Sequence, residues 1–294
     1  MAAYSLASSL SILFALRLLS GVGEAAFYVG AASVINDLAP DERRGEALSL
    51  FSLALYGGLA LGPFVGELVL GHDRYTLTWI VAAAAAAVAS LLGLRVPDTR
   101  SSTPGRRRIV HPAGLLPGII LACSVWGLAG YNTFVPLYAR ELGLDGSRLV
   151  FALYSAIVLG IRSLGARIPD KVGPGRSARI ALALSGTGLA VVGVSGTIAG
   201  LFAGTILFSV GQALAFPALM TVAVAAAPPS ERGSVVGTFT AFFDLAFGAG
   251  AVSLGGVAAL AGYEGTFIAA AGVAAAGLVL LLVRAHHAAG AEGR

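Results

Sequence analysis

Polar residues in this chain come in short clusters, and between them lie apolar runs of the roughly 20 residues that a helix needs to cross a hydrocarbon layer. Nine such runs fall near residues 10–36, 45–71, 76–94, 113–139, 149–166, 177–197, 198–226, 233–261 and 264–283. Inside lipid the backbone must satisfy its own hydrogen bonds, and a helix does so locally, so each run predicts a helix. Residues 1–9 read as the tail of an earlier helix. The long polar break from Arg95 to Pro112 holds Ser101-Ser102-Thr103-Pro104-Gly105 and the triple arginine 106–108. It separates a partial half, 1–94, from a six-span half, 113–283, which is followed by a tail, 284–294.

The pattern also repeats. Leu13-Phe14-Ala15 returns as Leu201-Phe202-Ala203, Val22-Gly23 as Val210-Gly211, Ala39-Pro40 as Ala227-Pro228, and Arg44-Gly45 as Arg232-Gly233. The offset is a constant 188 residues. A parallel repeat of this length in an apolar chain is the mark of a transporter built from two similar halves. The second copy opens near Pro112, so the first is expected to open upstream of Met1, with its first spans absent.

Composition narrows the environment. The chain of 294 residues is 57% hydrophobic and 12% charged, with a mean hydropathy of +0.85. A soluble domain carries roughly 25% charge, so a bilayer must supply the apolar solvent. The 40 glycines would weaken helices in water but let helices pack closely in lipid. The net charge of +4 does not indicate nucleic-acid binding, because the arginines lie in loops with no aromatic cluster beside them. Cys123 stands alone and is read as a buried structural thiol. No metal-ligand spacing and no nucleophile–base constellation occurs, so neither an enzyme nor a cofactor is expected, and no obligate protein partner is evident. The first basic residue, Arg17, follows the start of the apolar stretch, unlike a signal peptide.

Basic loops set the orientation. Arg43, Arg44, Arg95, Arg100, Arg106, Arg107, Arg108, Arg167, Lys171, Arg176, Arg179, Arg232, Arg284 and Arg294 fall on one side. Arg74, Arg140 and Arg148 fall on the other. The richer side, with the C-terminus, is expected to be cytoplasmic.

Three stretches carry a family resemblance. Arg17-Leu-Leu-Ser-Gly21-Val-Gly23-Glu24 is similar to the fourth-helix motif of the major facilitator superfamily. Pro40-Asp-Glu-Arg43-Arg44-Gly45 is similar to its loop between helices four and five. Gly58-Leu-Ala-Leu-Gly62-Pro63-Phe-Val-Gly66-Glu67 resembles the fifth-helix motif associated with antiporters. A second-half relative of the family's best-known loop is present as Asp170-Lys171-Val-Gly173-Pro-Gly-Arg176. The resemblance implies an all-α polytopic bundle of about nine transmembrane helices out of twelve, in which two halves rock to expose a cavity to one side at a time. It also links Arg17 to proton coupling. On the residues alone, Gly58, Gly62 and Gly66 share one helix face where another helix can approach, and Pro63 can kink that helix. The resemblance implies that Asp170 latches a cytoplasmic gate against a helix start near Gly233; without it, the segment reads as a solvated turn.

Ionisable groups at membrane depth are functional candidates by default. Arg17 and Glu24 lie two turns apart on one face. Asp244 lies near the middle of its span, and Arg162 is placed either to snorkel or to meet substrate. The repeat partners of Arg17 and Glu24 are Thr205 and Gln212, and that of Asp244 is Tyr56. The architecture therefore does not demand these charges. Tyr131, Asn132, Tyr56, Gln212, Phe242 and Phe243 are further cavity candidates, although aromatic residues in spans more often pack. The combined expectation is a plasma-membrane secondary transporter exporting a small organic molecule or drug in exchange for protons. An uptake symporter for a sugar or other metabolite, and a non-transporting fragment acting as a membrane interaction module, remain open alternatives.

Overall fold

The computed structural model describes residues 2–7, 9–40, 44–71, 74–97, 110–164, 172–228 and 231–292. After a short 3-10 turn, Ala2–Leu6, these form α1 (Leu10–Leu38), α2 (Arg44–Leu70), α3 (Tyr75–Gly93), α4 (Pro112–Glu141), α5 (Arg148–Leu164), α6 (Pro174–Ser195), α7 (Ile198–Ala225) and α8 (Arg232–Glu292). The last stretch is helical on both sides of Gly262, whose φ of 69° and ψ of −175° break it in two. No strand occurs among the described residues. Residues 10–28, 75–93, 112–141, 174–195, 198–225 and 232–284 are long and apolar enough to cross a bilayer. The last of these, 53 residues long, exceeds the length of two crossings at about 20 residues each. Among the described residues these six stretches, and not all nine runs read from the sequence, meet that length and hydropathy: α5 has 17 residues, and in α2 the apolar helix is Gly57–Leu70.

The helix ends follow from local chemistry. Ser9 and Thr197 cap α1 and α7, their side chains accepting from Ile12 N at 3.3 Å and Gly200 N at 3.1 Å. Each satisfies one of the amides that a helix start leaves unpaired. Pro112 and Pro174 open α4 and α6, where a missing N–H costs nothing. Gly143, at φ 92°, ends α4. Its amide reaches Arg140 O at 3.0 Å, and Leu144 N reaches Ala139 O at 2.9 Å, closing the last carbonyls in a Schellman arrangement.

The chain divides into two units, 1–105 and 106–294. In the first, α1 and α3 pack on α2, and the N-terminal turn packs on α3. Tyr4 stacks on Trp79 at 4.6 Å and shares a hydrogen bond with Ser20 at 2.8 Å. In the second, α4 packs mainly on α8, α6 on α7 and α8, and α5 on α7. Its core includes Ile120, Leu121, Val125, Leu182, Leu219 and Phe239. Along the α6–α7 seam the backbones touch. A methyl placed on Gly204 would lie 2.6 Å from Gly188 O, and one on Gly188 2.7 Å from Gly204 O. Glycine is needed there for close approach.

Candidate functional site

Polar groups inside the second unit tie its helices together. Gln212, on α7, points its amide at α4 and α6: Nε2 donates to Ser124 O at 3.3 Å, with Ser124 Oγ at 3.1 Å and Ser185 Oγ at 3.4 Å. Seven residues earlier, Thr205 shares a hydrogen bond with the Tyr131 hydroxyl at 2.8 Å. Tyr131 is fully buried and stacks on Phe208 at 4.7 Å, with Tyr154 and Phe151 at 5.6 and 6.1 Å. The structure thus places Tyr131 and Gln212 in the interior of the second unit, bonded to neighbouring helices. The reason is the cost of an unpaired buried polar group: each hydroxyl or amide has found a partner across a helix contact.

Asp244 stands differently. It lies on the exposed side of α8, about 18 Å along the helix from Arg232 by the rise per residue. No ion pair or hydrogen bond reaches its carboxylate among the described residues. The neighbouring rings are half-buried. Phe243 lies 6.3 Å from Phe247, and Phe216 of α7 meets Phe243 edge-on at 6.2 Å. Trp126 of α4 packs against the same core. Arg162, in the last turn of α5, is half-buried and within electrostatic reach of Tyr154. Asn132 is half-buried, and its Oδ1 takes no hydrogen bond among the described residues.

In the first unit, Arg17 and Glu24 are both exposed on α1, and no ion pair joins them. Tyr56 lies within α2. Gly58, Gly62 and Gly66 have open space where a side chain would begin, and α2 continues through Pro63. Among the described residues nothing comes within 4 Å of a side chain begun at any of the three. Asp170 and Lys171 lie outside the described residues. Gly173, at φ 90°, precedes Pro174 at the start of α6, and Arg176 is exposed in its first turn.

One joint gave no signal in the sequence. His111 caps α4: its Nδ1 accepts from Ala113 N at 3.2 Å, which leaves the proton on Nε2 to donate to Glu231 Oε2 at 2.7 Å. The His111 amide donates to Thr238 Oγ1 at 2.8 Å. The start of α4 is so fastened to the start of α8. The partners are 120 and 127 residues apart, with no motif linking them. The half-buried rings of Phe216, Phe247 and Trp126 around α8 were likewise invisible in the sequence, because aromatic residues scattered over three apolar spans look alike until the helices are packed.

Long apolar helices, six of them fit to cross a bilayer among the described residues, that carry ionisable side chains within their spans define a multi-pass membrane protein. No group of three or more His, Cys, Asp or Glu side chains among the described residues is placed to hold a metal. The chain belongs to the major facilitator superfamily, whose sequence profile matches residues 1–198 and 170–293. An uncharacterized MFS-type transporter of Salmonella typhimurium is 29% identical over 280 residues, covering 94% of this chain and 72% of the relative. The uncharacterized MFS-type transporter YhhS of Escherichia coli is 29% identical over 274 residues, 92% of this chain and 68% of the relative. Among solved structures, the human organic anion transporter MFSD10 superposes with a TM-score of 0.67 at 20% identity, covering 95% of this chain and 73% of that one. A bacterial homolog of the human lysosomal transporter Spinster, inward-facing and unoccupied, gives 0.62 at 16% identity, with 95% and 77% covered. These likenesses establish the fold. The family is one of membrane transporters, not enzymes.

Proposed function

We propose that this chain is a proton-coupled secondary transporter that exports a small organic molecule by alternating access, in the inner membrane and with its C-terminus in the cytoplasm. The observation that carries the coupling is Asp244, an exposed carboxylate deep within a span with no ion-pair partner among the described residues. A charge at that depth faces a water-filled space or takes a proton, because hydrocarbon does not solvate it. Protonation removes the charge and lowers the cost of the dehydrated state, so proton occupancy can bias one conformation over another. Glu24 supplies a second carboxylate, on the same helix as Arg17.

The export reading rests on the resemblance of the Gly58–Glu67 stretch to the antiporter motif. Its test uses inside-out vesicles with an imposed pH gradient and three probes: cationic ethidium, neutral chloramphenicol and anionic carboxyfluorescein. We expect gradient-driven uptake of at least one probe, reduced at least about tenfold by Glu24→Gln and by Asp244→Asn. Full gradient-driven uptake in both variants would remove the coupling assignment. Movement of probe only in the opposite sense would replace export with symport.

A further inference from the structure

The surroundings of Asp244 specify a substrate class. Within α8, Leu245 and Val252 are strongly exposed, at 67% and 76%, and lie about 80–100° round the helix from Asp244. That is the side suited to lipid. On the other flank, about 40–60° away, stand Thr240 and Phe247, with Phe243 beyond. Asp244 therefore stands at the boundary between an exposed aliphatic side and a half-buried aromatic side of α8. Phe243, Phe247 and Phe216 are each half-buried: they pack on the core yet keep part of each ring uncovered.

We propose that Asp244, with Phe243, Phe247 and Phe216, recognises a monovalent organic cation with an apolar body. This inference rests on the transport reading above. The carboxylate supplies the single counter-charge, and the rings supply apolar contact together with cation–π attraction. An anion would meet a negative carboxylate and the negative faces of the rings. A sugar would need several convergent hydrogen-bonding groups. The polar neighbour present, Thr240, gives its proton to Val236 O at 2.9 Å. The cation at Arg162 belongs to α5, which packs mainly on α7, and among the described residues no ion pair joins it to Asp244.

The test is equilibrium binding of tetraphenylphosphonium to the full chain in lipid nanodiscs, with no gradient applied. Tetraphenylborate, of the same shape and opposite charge, is the comparison probe. The site predicts saturable binding of the cation only. Asp244→Asn should weaken it at least about tenfold, Phe247→Leu should weaken it about fivefold, and Asp244→Glu should retain most of it. Thermal unfolding of each variant confirms that it is folded. Binding of tetraphenylphosphonium that is unchanged in folded Asp244→Asn overturns the proposal, as does absence of saturable binding to the wild type. Gradient-driven movement of chloramphenicol or carboxyfluorescein alone in the vesicle assay would also overturn it while leaving proton-coupled transport intact.

Discussion

Gln212 and Glu24 occupy equivalent places in the internal repeat, seven residues after Thr205 and Arg17, yet the two pairs are used in opposite ways. In the second unit the pair is neutral, buried and hydrogen-bonded: Gln212 bridges α7 to α4 and α6, and Thr205 holds the Tyr131 hydroxyl. In the first unit the pair is charged and exposed, with no ion pair between its members. At a third equivalent pair the charge lies in the other half, with Tyr56 in the first and Asp244 in the second. The comparison teaches that equivalent repeat positions need not share surroundings: the neutral pair is buried and braces helices, and the charged pair is exposed and braces none. Charges that the twin position does without are the ones that packing does not explain.

The glycines extend the contrast and give the largest expected structural effect. Gly204→Ala drives a methyl against Gly188 O and the Val192 backbone. We expect a loss of about 2–3 kcal/mol, seen as a large drop in the thermal midpoint of the detergent-solubilised chain. Gly62→Ala meets nothing and should hold or slightly raise that midpoint, since alanine favours helix by up to about 1 kcal/mol. Equal destabilisation by the two would show that the α2 face is packed after all.

Smaller effects separate the polar pairs. Gln212→Leu leaves the Ser124 and Ser185 hydroxyls without the amide and should cost about 1–2 kcal/mol, and Tyr131→Phe about 1 kcal/mol. Glu24→Gln should move the same melting transition by no more than about 0.5 kcal/mol, as expected of an exposed side chain away from any packing feature. A melt in which Glu24→Gln is as costly as Gln212→Leu would erase the distinction between bracing and charge-carrying positions.

Most of the fold was legible because it follows from one constraint, the length of apolar chain needed to cross a bilayer. The helix starts at Leu10, Pro112, Pro174 and Ile198, and the break at Gly262 between the last two runs, lie close to where that length and the turn residues put them. The repeat supplied the equivalence of Glu24 and Gln212 before any contact was known. What the sequence did not reveal is which polar residues turn inward. Tyr131 and Gln212 read as cavity residues by type and depth, yet both are spent on neighbouring helices. An apolar span carries no periodic polar stripe to mark its inner face, since lipid and helix interior are both apolar. The clasp of His111 on Glu231 and Thr238 was hidden for another reason: it joins two helix starts far apart in sequence, and no local pattern records such a meeting.

The central proposal is that Glu24 serves transport while its neutral repeat partner, Gln212, serves packing. The most direct measurement takes Glu24→Gln and Gln212→Leu side by side through both a thermal melt and a pH-gradient transport assay. The account predicts a crossed result, in which Glu24→Gln keeps its melting midpoint and loses gradient-driven transport, and Gln212→Leu loses midpoint and keeps transport per folded molecule. Retention of gradient-driven transport by Glu24→Gln, together with its loss in folded Gln212→Leu, would contradict it.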